Sequence, residues 1–242
     1  MSDERRRSAV VFGARNLGKA VIDLLLDDGW AVVGAAVSDA TLDSVSAAGG
    51  LALRADVTDA ESVRGVLAQA AHAHGNVDLV VNAASAYGGD RSGPFGGGPI
   101  AQAGPDAFDA WAAAPARAAF SFLSATGAFL LEQGTTATVI QVTGGSSRRA
   151  AAGRGLWAAG AFGVRAVTQA SALELREHGI HVALLIVDAG IEPLAGASPG
   201  QPVDALADPR DLAAAVRFLA DQSVRGTTHE LQVTPLAERW VP

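Results

Sequence analysis

Short apolar runs alternate with longer stretches of helical period along this chain. The runs cover residues 9–12, 31–37, 51–54, 77–81, 138–142, 181–187 and 230–233. Between them, residues 17–28, 60–74, 106–133, 157–177 and 209–221 repeat apolar side chains three and four apart, the spacing that gives a helix one buried face. Val-Ala-Leu-Leu-Ile-Val at 182–187 is apolar without interruption, as a strand covered on both faces must be. The alternation predicts βαβ units: an α/β fold, one doubly wound Rossmann-like domain with a central parallel sheet of about seven strands and helices on both faces. Asp59 and Ser62 are expected to cap the helix over 60–74, and Asp106 the one over 106–133.

The pattern shows no repeat and no boundary, so residues 1–242 read as a single domain. Residues 1–8 read as a flexible tail. Residues 85–104 and 193–208, rich in glycine and proline, read as flexible loops. Both loops follow strand C-termini, where open α/β sheets bind ligands.

Composition narrows the chemistry. With 49% hydrophobic and 18% charged residues the chain can build a large core, and without cysteine it has no disulfide or thiolate chemistry. A formal net charge of −7 argues against a nucleic-acid partner, which needs a basic face. Arg5, Arg6 and Arg7 form the one dense basic cluster and read as a solvated tail. No run reaches the roughly 20 apolar residues of a membrane span, and the N-terminal run is too short for a signal peptide, so the expectation is a cytoplasmic protein with no membrane partner. His72 and His74 are two apart on a helix and point apart, and no metal site is expected.

Residues 10–18, Val-Val-Phe-Gly-Ala-Arg-Asn-Leu-Gly, run from a strand through a glycine loop into a helix. Gly13 can turn tightly, Gly18 allows close helix–strand packing, and the helix start offers N–H groups to a pyrophosphate. Arg15 holds the place of the middle glycine of Gly-x-Gly-x-x-Gly, where it crowds or clamps a phosphate; two glycines also fit a plain tight turn. Ala55-Asp56-Val57 closes the third strand and Val81-Asn82-Ala83-Ala84 the fourth. Asp39 lies one or two places late for the acid that takes ribose hydroxyls, and reads equally as a loop or cap residue.

In order and spacing these pieces, with Thr-His-Glu-Leu at 228–231 and the ending around Pro235 and Trp240, resemble the short-chain dehydrogenase/reductase superfamily over roughly residues 8–240. The resemblance implies NAD or NADP as cofactor, held by Gly13, Arg15, Asn16, Leu17, Gly18, Asp56, Val57, Asn82, Ala83 and Ala84. It also implies a homodimer or homotetramer paired through the helices over 106–133 and 157–177. The family's catalysis uses an asparagine, a serine, a tyrosine and a lysine four residues after the tyrosine, because hydride transfer must be matched by a proton. Aligned on the strand over 138–142, the serine, tyrosine and lysine places hold Gly144, Trp157 and Ala161, and aligning Phe108 and Phe120 on the long helix puts Pro115 at the asparagine place. The only tyrosine is Tyr87 and the only lysine is Lys19, so no displaced Tyr-x-x-x-Lys pair exists. Pro193 replaces the threonine expected to meet the nicotinamide amide, after Asp188-Ala189-Gly190.

Ser146, Ser147, Arg148, Arg149 and Arg154 could edge the same cleft, the arginines as a clamp for an anionic substrate, with Tyr87 and Asp90 across it; each also reads as an exposed loop residue. His178, His181 and His229 fall at the other end of the sheet, which leaves a Ser-His-Asp hydrolase without support. Three functions stay open on the sequence: an atypical NAD(P)-dependent oxidoreductase, a catalytically dead scaffold or partner subunit, and a non-redox enzyme using the same cleft.

Overall fold

In the computed structural model, which describes residues 5–85, 93–196 and 202–238, the apolar runs form β1 (Ser8–Phe12), β2 (Ala31–Ala36), β3 (Leu51–Arg54), β4 (Leu79–Asn82), β5 (Ala137–Gly144), β6 (Ile180–Val187) and β9 (Glu230–Val233). A separate short pair is made by β7 (Gly190–Ile191) and β8 (Leu206–Ala207). The helices are α1 (Leu17–Asp27), α2 (Asp39–Ala47), α3 (Ala60–His74), α4 (Pro105–Phe108), α5 (Ala114–Gln133), α6 (Gly155–Leu175) and α7 (Pro209–Ala220).

The main sheet is parallel throughout, in the order β3-β2-β1-β4-β5-β6-β9. The order reverses between β1 and β4, where Phe12 lies opposite Asn82. At such a reversal the connections leave in opposite directions and open a crevice beyond the strand C-termini. Alternate residues of β1 feed two cores. Ala9 and Val11 pack with Leu25, Leu185 and Leu212 on one face. Val10 and Phe12 pack with Leu67, Phe122 and Val182 on the other.

α2 was not expected, because only Val45 of its nine residues is buried and its apolar period is correspondingly faint. Asp39, read as a loop or cap residue, is instead the first residue of α2, with Ser38 at the N-cap. Asp59 caps α3 as expected, accepting from Glu61 N at 3.0 Å, while Ser62 instead accepts from Asp56 N. Asp106 is no cap: Gly104 holds that place, with Pro105 opening the helix.

Between α4 and α5 the helix widens into a π segment, Asp109–Ala113. Pro115 explains the widening. It has no N–H to give the carbonyl four residues back, that of Trp111, and its ring displaces that carbonyl. α6 approaches there so closely that a Cβ on Gly160 would come within 2.5 Å of Trp111 O. The run Pro105–Gln133 is long and apolar enough to cross a membrane, which corrects the expectation that no segment is. Its apolar residues go instead to helix–helix and helix–sheet packing, with Phe122 and Leu130 fully buried against the sheet.

The basic cluster is not a solvated tail from Arg5 onward. Arg5 pairs with Asp78, and Arg6 donates to Gly29 O and Trp30 O at 2.7 Å each. Arg7 lies 3.8 Å over the buried Trp30 ring and pairs with Asp221 at the end of α7.

Candidate active site

The crevice at the β1/β4 reversal is a cleft of about 900 Å³. The glycine loop forms its first wall. Gly13 has φ +77°, and a Cβ there would fall 2.4 Å from Ala84 N, so the loop lies directly on the end of β4 and only glycine fits. Gly18 stands behind the loop, where a Cβ would meet Gly13 O at 2.2 Å. Asn16 has an unusual φ of +45°, and its side chain does not cap α1; its Oδ1 accepts from Leu194 N at 3.0 Å, across 178 residues. The Asn16 side chain therefore does not compete with an anion for the first-turn N–H groups of α1, of which that of Gly18 donates to Arg15 O at 3.0 Å.

The side of the cleft beyond β2 and β3 is polar. Arg15 is exposed and lines the cleft, and its guanidinium has no hydrogen-bond or ion-pair partner among the described residues. Ser38 and Thr41 line it too, their hydroxyls 2.8 Å apart. The acid just beyond the second strand, Asp39, is drawn away into an ion pair with Arg54, and neither residue lines the cleft. Asp56 Oδ1 accepts from Thr58 N and Oγ1 at 2.9 and 2.8 Å, which leaves Oδ2 for an amino group. Of the ten residues expected to hold a nucleotide, only Gly18 does not reach the cleft surface. Asn82 acts as a strand pin: its Nδ2 donates to Gln141 Oε1 at 2.9 Å and its Oδ1 accepts from Ala84 N at 3.1 Å. Ser38, Thr41, Thr58 and Gln141 were missed by sequence reasoning; the polar residues just beyond the second strand were the available signal.

The opposite end brings together the four places where the resemblance puts catalysis. Pro115, Gly144, Trp157 and Ala161 all line the same cleft, beside Ala118 and Val164. Trp157 is wedged against Phe95 and Trp111, with ring centroids 4.6 and 5.6 Å away. Arg154 stacks on Phe95 from outside, 5.3 Å from the ring centroid. The part of the 85–104 loop from residue 93 on is thus packed on the start of α6 rather than loose, and Tyr87 and Asp90 lie outside the described residues.

The expected arginine clamp does not form, because none of Arg148, Arg149 and Arg154 lines the cleft. Arg149 grips the buried carboxylate of Asp188 with two bonds of 2.5 and 2.8 Å, and Gln232 Nε2 donates to the same group at 3.1 Å. Ser147 is buried and donates to Gly144 O. Behind this loop Arg165 and Gln169 hold Glu230. Burial pushes the Glu230 carboxyl up, but those hydrogen bonds and the charges of Arg165 and Arg148 outweigh it and leave it below the usual range. Lys19 pairs with Asp23 and does not line the cleft. His181 and His229 sit at the opposite end of β6, where burial lowers the His181 pKa and its Nε2 donates to Thr228 O. The described residues contain no group of three metal-ligating side chains.

The profile of the short chain dehydrogenase family matches residues 7–190. The chain belongs to the short chain dehydrogenase family. No curated protein matches it. Among solved structures, this short chain dehydrogenase is similar to an alcohol dehydrogenase from the archaeon Thermococcus sibiricus complexed with 5-hydroxy-NADP, at 22% identity over 98% of this chain and 100% of that one, with a TM-score of 0.78. A metagenomic short-chain oxidoreductase in complex with NADP is 25% identical over 96% and 98% of the two chains, with a TM-score of 0.71. A point variant of the actinorhodin polyketide ketoreductase with NADPH is 20% identical over 97% and 98%, with a TM-score of 0.75. Residues that fit such a nucleotide are present at one end of the cleft: the glycine loop, the open start of α1, Arg15 and Asp56. At the other end the described lining is Pro115, Ala118, Gly144, Trp157, Ala161 and Val164, with the hydroxyls of Ser85 and Thr143.

Proposed function

We propose that this short chain dehydrogenase binds NADP in preference to NAD and has lost the family's usual proton chemistry on carbonyls and alcohols. It then works either by an unorthodox reaction or as a nucleotide-bound partner subunit. One observation carries the reading: Pro115, Gly144, Trp157 and Ala161 meet in one cleft with the nucleotide-binding loop. A bound nicotinamide ring supplies hydride chemistry, but the chain must supply the proton. An indole N–H is a donor and not a usable acid, and proline, glycine and alanine offer nothing.

The preference for NADP is supported by Arg15, Ser38 and Thr41 around the place where a 2′-phosphate would lie, and by the removal of Asp39 into its pair with Arg54. A hydrogen bond to a charged group contributes about 1.5–3 kcal/mol, or roughly tenfold and more in affinity. Calorimetry is expected to show NADP binding about tenfold tighter than NAD, with Arg15→Ala removing most of the difference. Equal affinity for the two in the unaltered protein would refute the preference.

Self-association belongs to the same reading. Phe120 on α5, with Phe162 and Leu173 on α6, are exposed on two helices packed side by side. Pairing of that face with a second copy would bury them in an isologous contact. Light scattering is expected to give a dimer or tetramer, and Phe120→Glu with Phe162→Glu a monomer. A monomer at high concentration of the unaltered protein would exclude such pairing.

A further inference from the structure

The polar groups of the cleft are distributed unevenly along it. Among the described residues, the two ionisable side chains of its lining, Arg15 and Asp56, both lie at the adenosine end, with the hydroxyls of Ser38, Thr41 and Thr58 and the start of α1. Beyond the pyrophosphate position the surface given by the described residues is mainly hydrocarbon, from Pro115, Ala118, Ala161, Val164 and the Trp157 ring.

The amides that reach this second end are already occupied. Asn82 and Gln141 bond to each other, and Gln141 Nε2 also donates to Val142 O at 2.8 Å. On the exit segment from β6, Pro193 has no N–H, and the next one, from Leu194, is taken by Asn16 Oδ1. Asp188, between the cleft-lining Val187 and Ala189, faces away into its bonds with Arg149 and Gln232. Thr143 and Ser85 keep hydroxyls on the cleft, a small set for a ribose and a carboxamide. A polar ligand group that exchanges water for hydrocarbon there loses hydrogen bonds it cannot replace, and this offsets what ring stacking on Trp157 returns.

We infer that recognition resides in the adenosine–phosphate half alone, so that the cleft takes adenosine nucleotides lacking nicotinamide as tightly as it takes the complete dinucleotide. The ligand class is a phosphorylated adenosine diphosphate sugar, of which NADP is one extended case. This rests on the reading that the cleft binds an adenine nucleotide, and it changes what that binding reports: the protein responds to the adenosine-phosphate pool rather than to the oxidation state of the ring.

The test is calorimetry on the full chain with two matched pairs, NADP against 2′-phospho-ADP-ribose and NAD against ADP-ribose. Each pair should agree within about threefold, and NADP and NADPH should agree equally well. Arg15→Ala should weaken NADP and 2′-phospho-ADP-ribose by the same factor, because the contact lies in the half they share. A dinucleotide that binds tenfold or more tightly than its truncated partner would overturn the inference while leaving nucleotide binding intact. Binding by none of the four would overturn the inference and the nucleotide reading together.

Discussion

NADPH mixed with the purified protein and a broad panel of aldehydes and ketones is expected to be consumed no faster than in buffer, and NADP with alcohols to be reduced no faster. The expectation follows from position. On the proposed reading Trp157 presents an indole at the place of the phenolic acid, Ala161 a methyl group at that of the lysine, and Gly144 no side chain at all, and all three line the one cleft. A positioned general acid contributes about 10²–10⁴ in rate, and lost ribose and carbonyl contacts add to the deficit. Tyr87 is the only tyrosine and Lys19 the only lysine, and Lys19 is paired with Asp23 away from the cleft.

Reconstruction sharpens the experiment. Because the missing groups act as a unit, Trp157→Tyr, Ala161→Lys or Gly144→Ser alone should return almost nothing, and only the triple change has a chance of measurable turnover. Pro115, whose ring sets the π widening beside the cleft, would still limit it. NADPH-dependent turnover by the unaltered protein that survives Trp157→Phe would show that the alignment or the mechanism is mistaken.

The second large effect is on stability. Asp188→Ala should lower the free energy of unfolding by about 3 kcal/mol, since it removes the buried carboxylate that accepts charge-assisted hydrogen bonds from Arg149 and a further one from Gln232. For a domain of this size that is a fall of roughly 6–12 °C in Tm. Asp188 is almost fully buried and receives Arg149 and Gln232, and Gly145 leaves it room: a Cβ there would stand 1.8 Å from its Oδ1. These bonds tie the loop after β5 to the end of β6. Arg149→Met with Asp188→Leu should cost less than the two single changes summed, because the double variant buries no unpaired charge. A Tm within about 2 °C of the unaltered protein for Asp188→Ala would mean that the pair contributes little.

How much could be read before the fold was seen depended on whether the deciding forces were local. The strands were legible because a parallel strand buried on both faces needs an unbroken apolar run, and 182–187 is one. α3 was legible from its period and its Asp59 cap, whereas α2 was hidden because one buried residue in nine sets no period. The glycine loop and the four places aligned with the family's catalytic positions were likewise local, read from spacing along a strand and a helix.

What those residues do to one another was decided only in three dimensions. Arg149 looked like a free clamp and is committed to Asp188, 39 residues on. Asp39 looked like a ribose acid or a cap and is neutralised by Arg54 from the neighbouring strand. Asn16 was among the residues that the resemblance implied would hold the cofactor, and it spends its side chain on Leu194, 178 residues away. Side-chain hydrogen bonds and ion pairs act over a few ångströms and take no account of chain separation, so their partners are set by the strand order and the loop paths. By itself the sequence determined the parallel sheet, the place of the cleft and the residue types that stand at 115, 144, 157 and 161, because each follows from residue type at a local spacing. Only the tertiary structure decided which charges remain available in that cleft, because that depends on which distant groups the folded chain has already brought together.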